Sequence, residues 1–396
     1  MKNKIGINVS FLRKSATGIG QVAFNYLKVL NKNSQNFKFY LYAEEKLPKG
    51  LNLTKNFRER IFLPPYKRDD LIRKIWWEKF LLPRKIKQDN CSAFISLYQC
   101  PTILPKNVKH TMVVHDIIPK LFPEYLNNWR KKLYWKLTEK GIKKADKIIA
   151  ISECTKNDLV KHLQVPAEKI EVRYLDVDKI YKKEVDENES ARVLQKYSLE
   201  KGYIYFGGGL EKRKNVKTLL KAYERLMNFE FQISNFNSNS DDRISNTSQT
   251  QNTKHKIPKL VVSGKLMPEL APLVTDVEKL VKELGLENKV KLLDFVPQED
   301  LPALYKNARM FIYPSLYEGF GLPVLEAMNC GTPVISSNSS SLPEVGGEAV
   351  EYFDPRNVEE LTKKIKLLLN NESLRQEFIR KGKERAKKFS WEKFLV

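Results

Sequence analysis

The sequence predicts an α/β protein built from two doubly wound parallel sheets, one after the other along the chain. Short apolar runs alternate with amphipathic stretches from end to end, the pattern of parallel strands joined by crossover helices. A length of 396 residues suits two domains of ordinary size. The composition also shifts once, at a charged stretch over 182–200 centred on Asp186-Glu187-Asn188-Glu189, where the crossing between domains is placed. These observations set a first domain at 1–183, a second at 184–388, and a tail at 389–396.

In the first domain, residues 4–9 read as a buried strand. A polar loop over 10–17 leads to Gly18-Ile19-Gly20 and an amphipathic helix over 21–30. Gly18-x-Gly20-x-x-Ala23 matches a relaxed dinucleotide fingerprint, but that fingerprint needs its glycines directly after the strand, and eight residues intervene here. A glycine-rich helix start approaching a phosphate or sugar is the better reading, with a plain glycine turn as its competitor. Residues 37–42 and 60–63 read as strands. A helix over 69–82 follows, with carboxylates in front and Pro83 ending it. Trp76 and Trp77 fit core or cleft wall, while Lys67, Arg68, Arg73, Lys74, Lys79, Arg84, Lys85 and Lys87 make this the stretch most like a membrane-surface helix. Strands at 93–97 and 109–114 come next, and the second delivers His115-Asp116 at its carboxyl end, where open parallel sheets hold ligands. A basic helix over 124–144, a strand at 147–151, a helix to 163 capped by Ser152, and a strand at 170–174 complete the domain.

The second domain opens with a strand at 203–206, the loop Gly207-Gly208-Gly209-Leu210-Glu211-Lys212-Arg213-Lys214-Asn215, and a helix over 216–227. No P-loop pattern occurs. Lys212, Arg213 and Lys214 crowd a helix start that the macrodipole already makes positive, so an anion lying among them is the best account of their placement. Residues 232–257 are too polar to bury a core and read as a disordered insertion. Strands are expected at 259–263, 290–293, 310–313 and 333–336, with helices at 269–284, 299–307, 358–369 and 373–388. Between 310–313 and the next helix lies Tyr317-Glu318-Gly319-Phe320-Gly321-Leu322-Pro323-Val324-Leu325-Glu326. Strand, glycine loop and helix start form a device for holding phosphate on backbone N–H groups, with Pro323 tolerated in the first turn. Acids beside such a site would repel the ligand unless they address neutral hydroxyls or a nearby cation. Glu318 and Glu326 therefore point to a sugar-bearing phosphate.

Bulk properties narrow the classes. Hydrophobic residues at 42% and aromatics at 11% exclude wholesale disorder. The amino terminus is too interrupted for a signal peptide, and no apolar run approaches the roughly 18–20 residues of a membrane span. Four scattered cysteines fit reduced core thiols, so a cytoplasmic protein is expected. The net charge of +23 is uneven: residues 1–150 carry 31 Lys and Arg against 11 Asp and Glu, and the remainder 39 against 36. One domain is thus expected to face an anionic partner.

The chain resembles the GT-B glycosyltransferases of the large retaining family four, the "glycosyl transferases group 1", and is most similar to their bacterial mannosyl- and rhamnosyltransferase-like branch. EGFGLPVLE, from Glu318 to Glu326, matches the family's E-x(7)-E signature; GGGLEKRKN matches its basic donor-phosphate loop; VVHDIIP at 113–119 its His-Asp motif. TGIGQVAFNYL at 17–27 and SLPEVGGEA at 341–349 match two further segments, in the family's order. The resemblance implies two Rossmann-like domains facing across a cleft, the first on the acceptor side and the second holding a nucleotide-sugar donor. It implies that Arg213 and Lys214 bind the donor diphosphate, and that the N–H groups of Phe320, Gly321 and Leu322 hold the distal phosphate or sugar. It also implies that Glu318 contacts sugar hydroxyls, Glu326 the ribose, and His115 the transferring sugar. Gly18 and Gly20 would form the first domain's glycine loop toward the donor. No enzyme nucleophile, metal or other cofactor is implied. Relatives with an arginine after the donor-loop glycine differ from this chain, which has Gly208-Gly209 there, so the burden falls on Lys212, Arg213 and Lys214. Residues 389–396 would begin the crossover helix, shorter than usual in the family.

The resulting expectation is a hexosyltransferase using GDP-mannose and a glycan or polyprenyl-linked acceptor in cell-surface polysaccharide synthesis, peripheral at the inner face of an anionic membrane. The rivals are an inactive sugar-nucleotide-binding paralogue and a basic nucleic-acid-binding protein; no nucleic-acid motif supports the latter.

Overall fold

The computed structural model describes residues 4–14, 17–33, 37–48, 50–64, 71–238 and 257–395, with side chains over 229–238 left aside. The chain divides into two compact units. One comprises Met1–Asp178, Glu318–Leu322 and Lys388–Val396; the other comprises Lys179–Tyr317 and Pro323–Lys387.

The first unit is a parallel seven-stranded sheet: β1 (Lys4–Asn8), β2 (Lys38–Ala43), β3 (Phe57–Ile61), β4 (Ala93–Ser96), β5 (Lys109–Val114), β6 (Lys147–Ala150) and β7 (Ile170–Val172), in the order β3-β2-β1-β4-β5-β6-β7. The order reverses between β1 and β4, the switch point outside whose carboxyl ends such sheets place ligands. Central strands are apolar because helices cover both faces. One face packs Met112, Val114, Ile148 and Ala150 with Trp135, Ile142 and Leu159; another cluster joins Tyr40, Tyr42, Phe94, Trp77 and Ile86.

The second unit repeats the plan with β8 (Tyr203–Gly207), β9 (Leu260–Ser263), β10 (Val290–Leu293), β11 (Ala308–Tyr313), β12 (Val334–Ser337) and β13 (Glu351–Phe353), ordered β10-β9-β8-β11-β12-β13 and again parallel. Its switch point lies between β8 and β11. The two parallel α/β sheets bear out the expected fold class.

Several expected boundaries are corrected. The helix at 69–82 does not stop at Pro83: it runs from Leu71–Trp76 through a π turn at Trp77–Leu81 into Leu82–Gln88. Proline lacks an N–H and its ring crowds the carbonyl four residues back. The wider turn, in which Leu82 N–H donates to the Trp77 carbonyl, lets the chain pass. Lys67, Arg68 and Asp69 lie outside the described residues. Of the two tryptophans, Trp77 is core, its Nε1 donating to the Phe62 carbonyl at 3.0 Å, whereas Trp76 is exposed. The helix expected from 124 begins at Trp129, because Asn128 caps it through the Lys131 N–H. Within the acid-rich stretch at 182–200, Asp186 caps a helix over Glu187–Tyr197, and Glu187 and Glu189 sit in its first turn, where the dipole favours them. The helix after the basic loop continues to Ser238, into the expected insertion; residues 239–256 lie outside the described ones. The helix expected at 269–284 is cut to Val277–Glu283, capped by Asp276 after the proline-containing stretch 268–272. All four cysteines are free thiols.

Residues 388–396 close the first unit. A turn of helix at Trp391–Phe394 sets Phe394 edge-on to Tyr26 at 6.2 Å, and Trp391 Nε1 donates to the Val177 carbonyl at 2.9 Å.

Candidate active site

The carboxyl ends of β8 and β11 hold the basic turn. After β8, Gly208 takes φ +139°, in the region that favours glycine. Lys212–Lys214 then form a 3-10 turn that ends in Asn215 at φ 59°, a left-handed conformation asparagine tolerates. Asn215 Nδ2 donates to the carbonyls of Pro314 at 3.0 Å and Pro355 at 2.8 Å. The turn is thereby stitched to the loop after β11: Leu316 N–H and Ser315 Oγ donate to the Arg213 carbonyl, and Arg213 Nη1 donates to the Tyr317 carbonyl at 3.1 Å. These bonds fix the loop through backbone atoms and hold the Arg213 side chain.

Lys214 is only 8% exposed, and its Nζ donates to Tyr313 Oη at 2.6 Å while sitting over that ring. Burying an ammonium in a mostly aromatic setting is costly unless anions approach it. Arg213 lies 3.9 Å from Glu211. Glu326, in the second turn of the helix Leu322–Asn329, is 7% exposed and accepts from Tyr305 Oη at 2.9 Å. Burial raises its carboxyl to about 7, opposed by the Tyr305 and Tyr181 hydroxyls and by the charge of Lys214. Arg213, Lys214 and Glu326 therefore belong to one neighbourhood of the second unit. The tyrosines packed there, Tyr181, Tyr205, Tyr305 and Tyr313, carried no sequence signal as site residues, because isolated aromatics on strands and helices read as core.

In the first unit, His115 follows β5 and is buried. Its Nε2 meets the Leu97 carbonyl at 2.8 Å, which leaves Nδ1 as the ring's acceptor, and its N–H donates to Gln99 Oε1. Burial lowers the imidazole pKa against the pull of the Leu97 carbonyl and Asp116, so the ring is neutral at pH 7. Asp116 Oδ1 accepts from the Ile118 N–H and fixes the loop. Against this strand end lies the segment Glu318–Leu322. Ser152 Oγ donates to the Gly319 carbonyl at 2.6 Å, and Thr155 Oγ1 bridges the Gly319 and His115 carbonyls at 3.3 and 3.2 Å. A Cβ at Gly319 would lie 2.0 Å from the His115 carbonyl oxygen, so only glycine fits. Phe320 packs with Tyr174 and Phe389, Gly321 takes φ +112°, and Glu318 is buried. His115, Gly319 and Phe320 are thus held together. Ser152 is the expected cap, yet its second bond spans 167 residues and is invisible to local reading. Gly18 and Gly20 open the helix Gly18–Asn33, three residues before the expected start, with the Gly20 N–H on Thr17 Oγ1. Among the described residues no cluster of three or more His, Cys, Asp or Glu side chains could hold a metal ion, and no helix is long and apolar enough to cross a membrane.

Two doubly wound parallel units, one with a basic turn at its switch point, have the GT-B architecture of glycosyltransferases. The sequence agrees: residues 188–385 match the family of glycosyl transferases group 1, and residues 16–179 match glycosyltransferase family 4. The O-antigen chain mannosyltransferase B of Escherichia coli is 34% identical over 299 residues, 75% of this chain and 71% of that one. The O-antigen chain mannosyltransferase RfbU of Salmonella typhimurium is 25% identical over 362 residues, covering 88% and 86%. A solved glycosyltransferase from Rickettsia africae superposes with a TM-score of 0.69 at 17% identity, covering 99% of this chain and 95% of that one. The chain belongs to the glycosyl transferases group 1 family and is a hexosyltransferase.

Proposed function

We propose that this chain transfers mannose from GDP-mannose to a glycan or polyprenyl-linked acceptor in cell-surface polysaccharide synthesis, with retention of anomeric configuration. The observation that carries the phosphate assignment is the Arg213–Lys214 pair, fixed at a helix start with Lys214 nearly buried. Two cations in that position neutralise the nucleoside diphosphate as the glycosidic bond breaks, an electrostatic contribution largest when the charge has developed. The N–H groups of Phe320, Gly321 and Leu322 would take the distal phosphate or the sugar. Glu318 would take sugar hydroxyls, and Glu326 a ribose hydroxyl. His115, neutral, would accept at Nδ1 from the transferring sugar. Gly18 and Gly20 would let the first unit's helix start approach the donor. No side chain is assigned as nucleophile, and the cationic pair would do the work of a metal. The choice of mannose is supported by the names of the relatives.

Lys214→Ala should lower the transfer rate by about 10²–10³-fold while cooperative unfolding persists. An unchanged rate would remove the phosphate role. Release of free nucleotide only when acceptor is added would separate the enzyme from an inactive sugar-nucleotide binder.

A second proposal concerns location. Trp76 and Phe80, 53% and 43% exposed, lie ring to ring at 5.7 Å with Lys79 Nζ 5.4 Å from the Phe80 ring centre, on the half of the chain that carries the charge excess. Exposed aromatics among cations suit the anionic surface of a membrane, the inner face in a cytoplasmic enzyme. Phosphatidylglycerol vesicles should co-sediment the protein at low salt, and the double variant Trp76→Ser/Phe80→Ser should weaken this severalfold. Equal sedimentation of both proteins would refute the assignment.

A further inference from the structure

The strand that ends at the basic turn has two different faces. Along β11, Met310 and Ile312 join the apolar core of the second unit, while Phe311 and Tyr313 share the other face and stack at 5.8 Å and 23°. Tyr205 and Tyr305 extend this aromatic row, 5.7 and 5.1 Å from Phe311. Tyr313 is its last member, at the carboxyl end of β11 where the strand order reverses. It is fully buried, and β12 holds its backbone in register with Ser336. The hydroxyls of the row differ in their partners. Tyr205 shares its hydroxyl with Ser263, and Tyr305 donates to Glu326. Tyr313 accepts from Lys214 Nζ at 2.6 Å, the only direction open to that bond, because an ammonium has donors alone.

The backbone of the basic turn is anchored on both sides of this tyrosine. Asn215 Nδ2 donates to the Pro314 carbonyl, and the Leu316 N–H donates to the Arg213 carbonyl. The loop leading into the turn runs along the ring, since a Cβ at Gly208 would lie 3.9 Å from Tyr313 Cε2. These contacts settle where the Lys214 side chain starts. They do not settle where its ammonium ends, because a flexible four-carbon stem lies between. Tyr313 fixes that end twice, through the hydroxyl and through the ring, whose centre is 5.1 Å from Nζ. The phenol is neutral, so this contact directs the ammonium without itself setting a negative charge beside an incoming anion. Electrostatic stabilisation is strongest from charges already in place, which is what a lysine held before the donor arrives provides.

We propose that Tyr313 is a positioning residue for the donor, its hydroxyl and ring setting the Lys214 ammonium where the diphosphate binds. The proposal rests on the assignment of Lys214 to that diphosphate. A double-mutant cycle on the full chain tests it: Tyr313→Phe, Lys214→Ala and the two combined, each titrated calorimetrically with GDP and with UDP. Phenylalanine keeps the ring, its stack on Phe311 and the cation–π contact, so the fold persists, and a melting temperature measured alongside verifies this. For the nucleotide that the native chain binds more tightly, Tyr313→Phe should weaken binding by about tenfold. Lys214→Ala should weaken it by about thirtyfold. Adding Tyr313→Phe to Lys214→Ala should change the affinity by less than about twofold, because the hydroxyl then has no ammonium to direct. A merely structural tyrosine gives the same loss in both backgrounds, and that result overturns the proposal. Native affinity in Tyr313→Phe beside weak binding in Lys214→Ala also overturns it and leaves the phosphate assignment standing. Native affinity in Lys214→Ala, or no binding of either nucleotide by the native chain, removes the phosphate assignment and the proposal with it.

Discussion

The two units share one sheet plan and spend their switch points differently. In the second, the crevice between β8 and β11 is walled by backbone: a glycine-led loop, a 3-10 turn and asparagine bonds to two carbonyls, with Arg213 and Lys214 projecting from it. In the first, the region beside β1 and β4 is walled by acidic and basic side chains set against one another, Glu44 with Arg13 and Arg73, Glu78 with Lys74. A backbone cradle accepts any phosphate, because N–H groups and helix ends read charge and little else. A side-chain cradle is particular about its ligand, since each buried charge imposes a position and a sign.

The contrast can be pressed by substitution. Glu44→Ala should be the most damaging, about 3–5 kcal/mol in urea denaturation, because it removes the buried carboxylate that Arg73 and Arg13 both address. A loss below about 1 kcal/mol would mean that the first unit's charges are solvated and not built in. Glu326→Gln tests the second unit through pH. The native carboxyl titrates near 7 and the unfolded one near 4.5. The native state therefore holds the extra proton between those values, and the contribution of Glu326 is fully present below pH 4.5 and is lost as pH rises to 7. Relative to the wild type, the glutamine variant should gain roughly 2–3 kcal/mol between pH 5 and pH 8, read from melting temperatures at the two pH values. A constant difference would show that Glu326 is not buried as a titrating acid. The smallest effect is expected at the His115 strand end. Ser152→Ala removes one helix cap and the bond to the Gly319 carbonyl, about 1–2 kcal/mol, with Ser152→Thr recovering part of it.

The same contrast decides what could be read from sequence. The second unit's site is written in contiguous segments, GGGLEKRKN and EGFGLPVLE, in which glycine, cation and acid spacing each has a local mechanism. Strand alternation likewise exposes the sheet, because burial on both faces leaves apolar runs between turn residues. A cavity in the first unit draws on Ser10–Lys14, Glu44 and residues 71–78, three segments that no periodicity links. There Lys74 and Glu78 look like an ordinary helix-surface pair four residues apart, and only the tertiary fold puts aromatic rings around the lysine. The helix after Asp186 escaped the sequence for a related reason: acids at a helix start and acids in a linker have the same composition.

The weave of the chain has a consequence for biosynthesis. The first unit is begun first and finished last: strands β1 to β7 leave the ribosome early, yet the Gly319 carbonyl that Ser152 addresses, and the Trp391 that caps the Val177 carbonyl, emerge only after most of the second unit has been made. A nascent 1–178 segment must wait with those polar groups unmet, and a gene cut at that boundary would yield a sheet lacking its own closing pieces. Dissection of this enzyme into expressible halves therefore calls for grafting 318–322 and 388–396 onto the first half, not for a single cut.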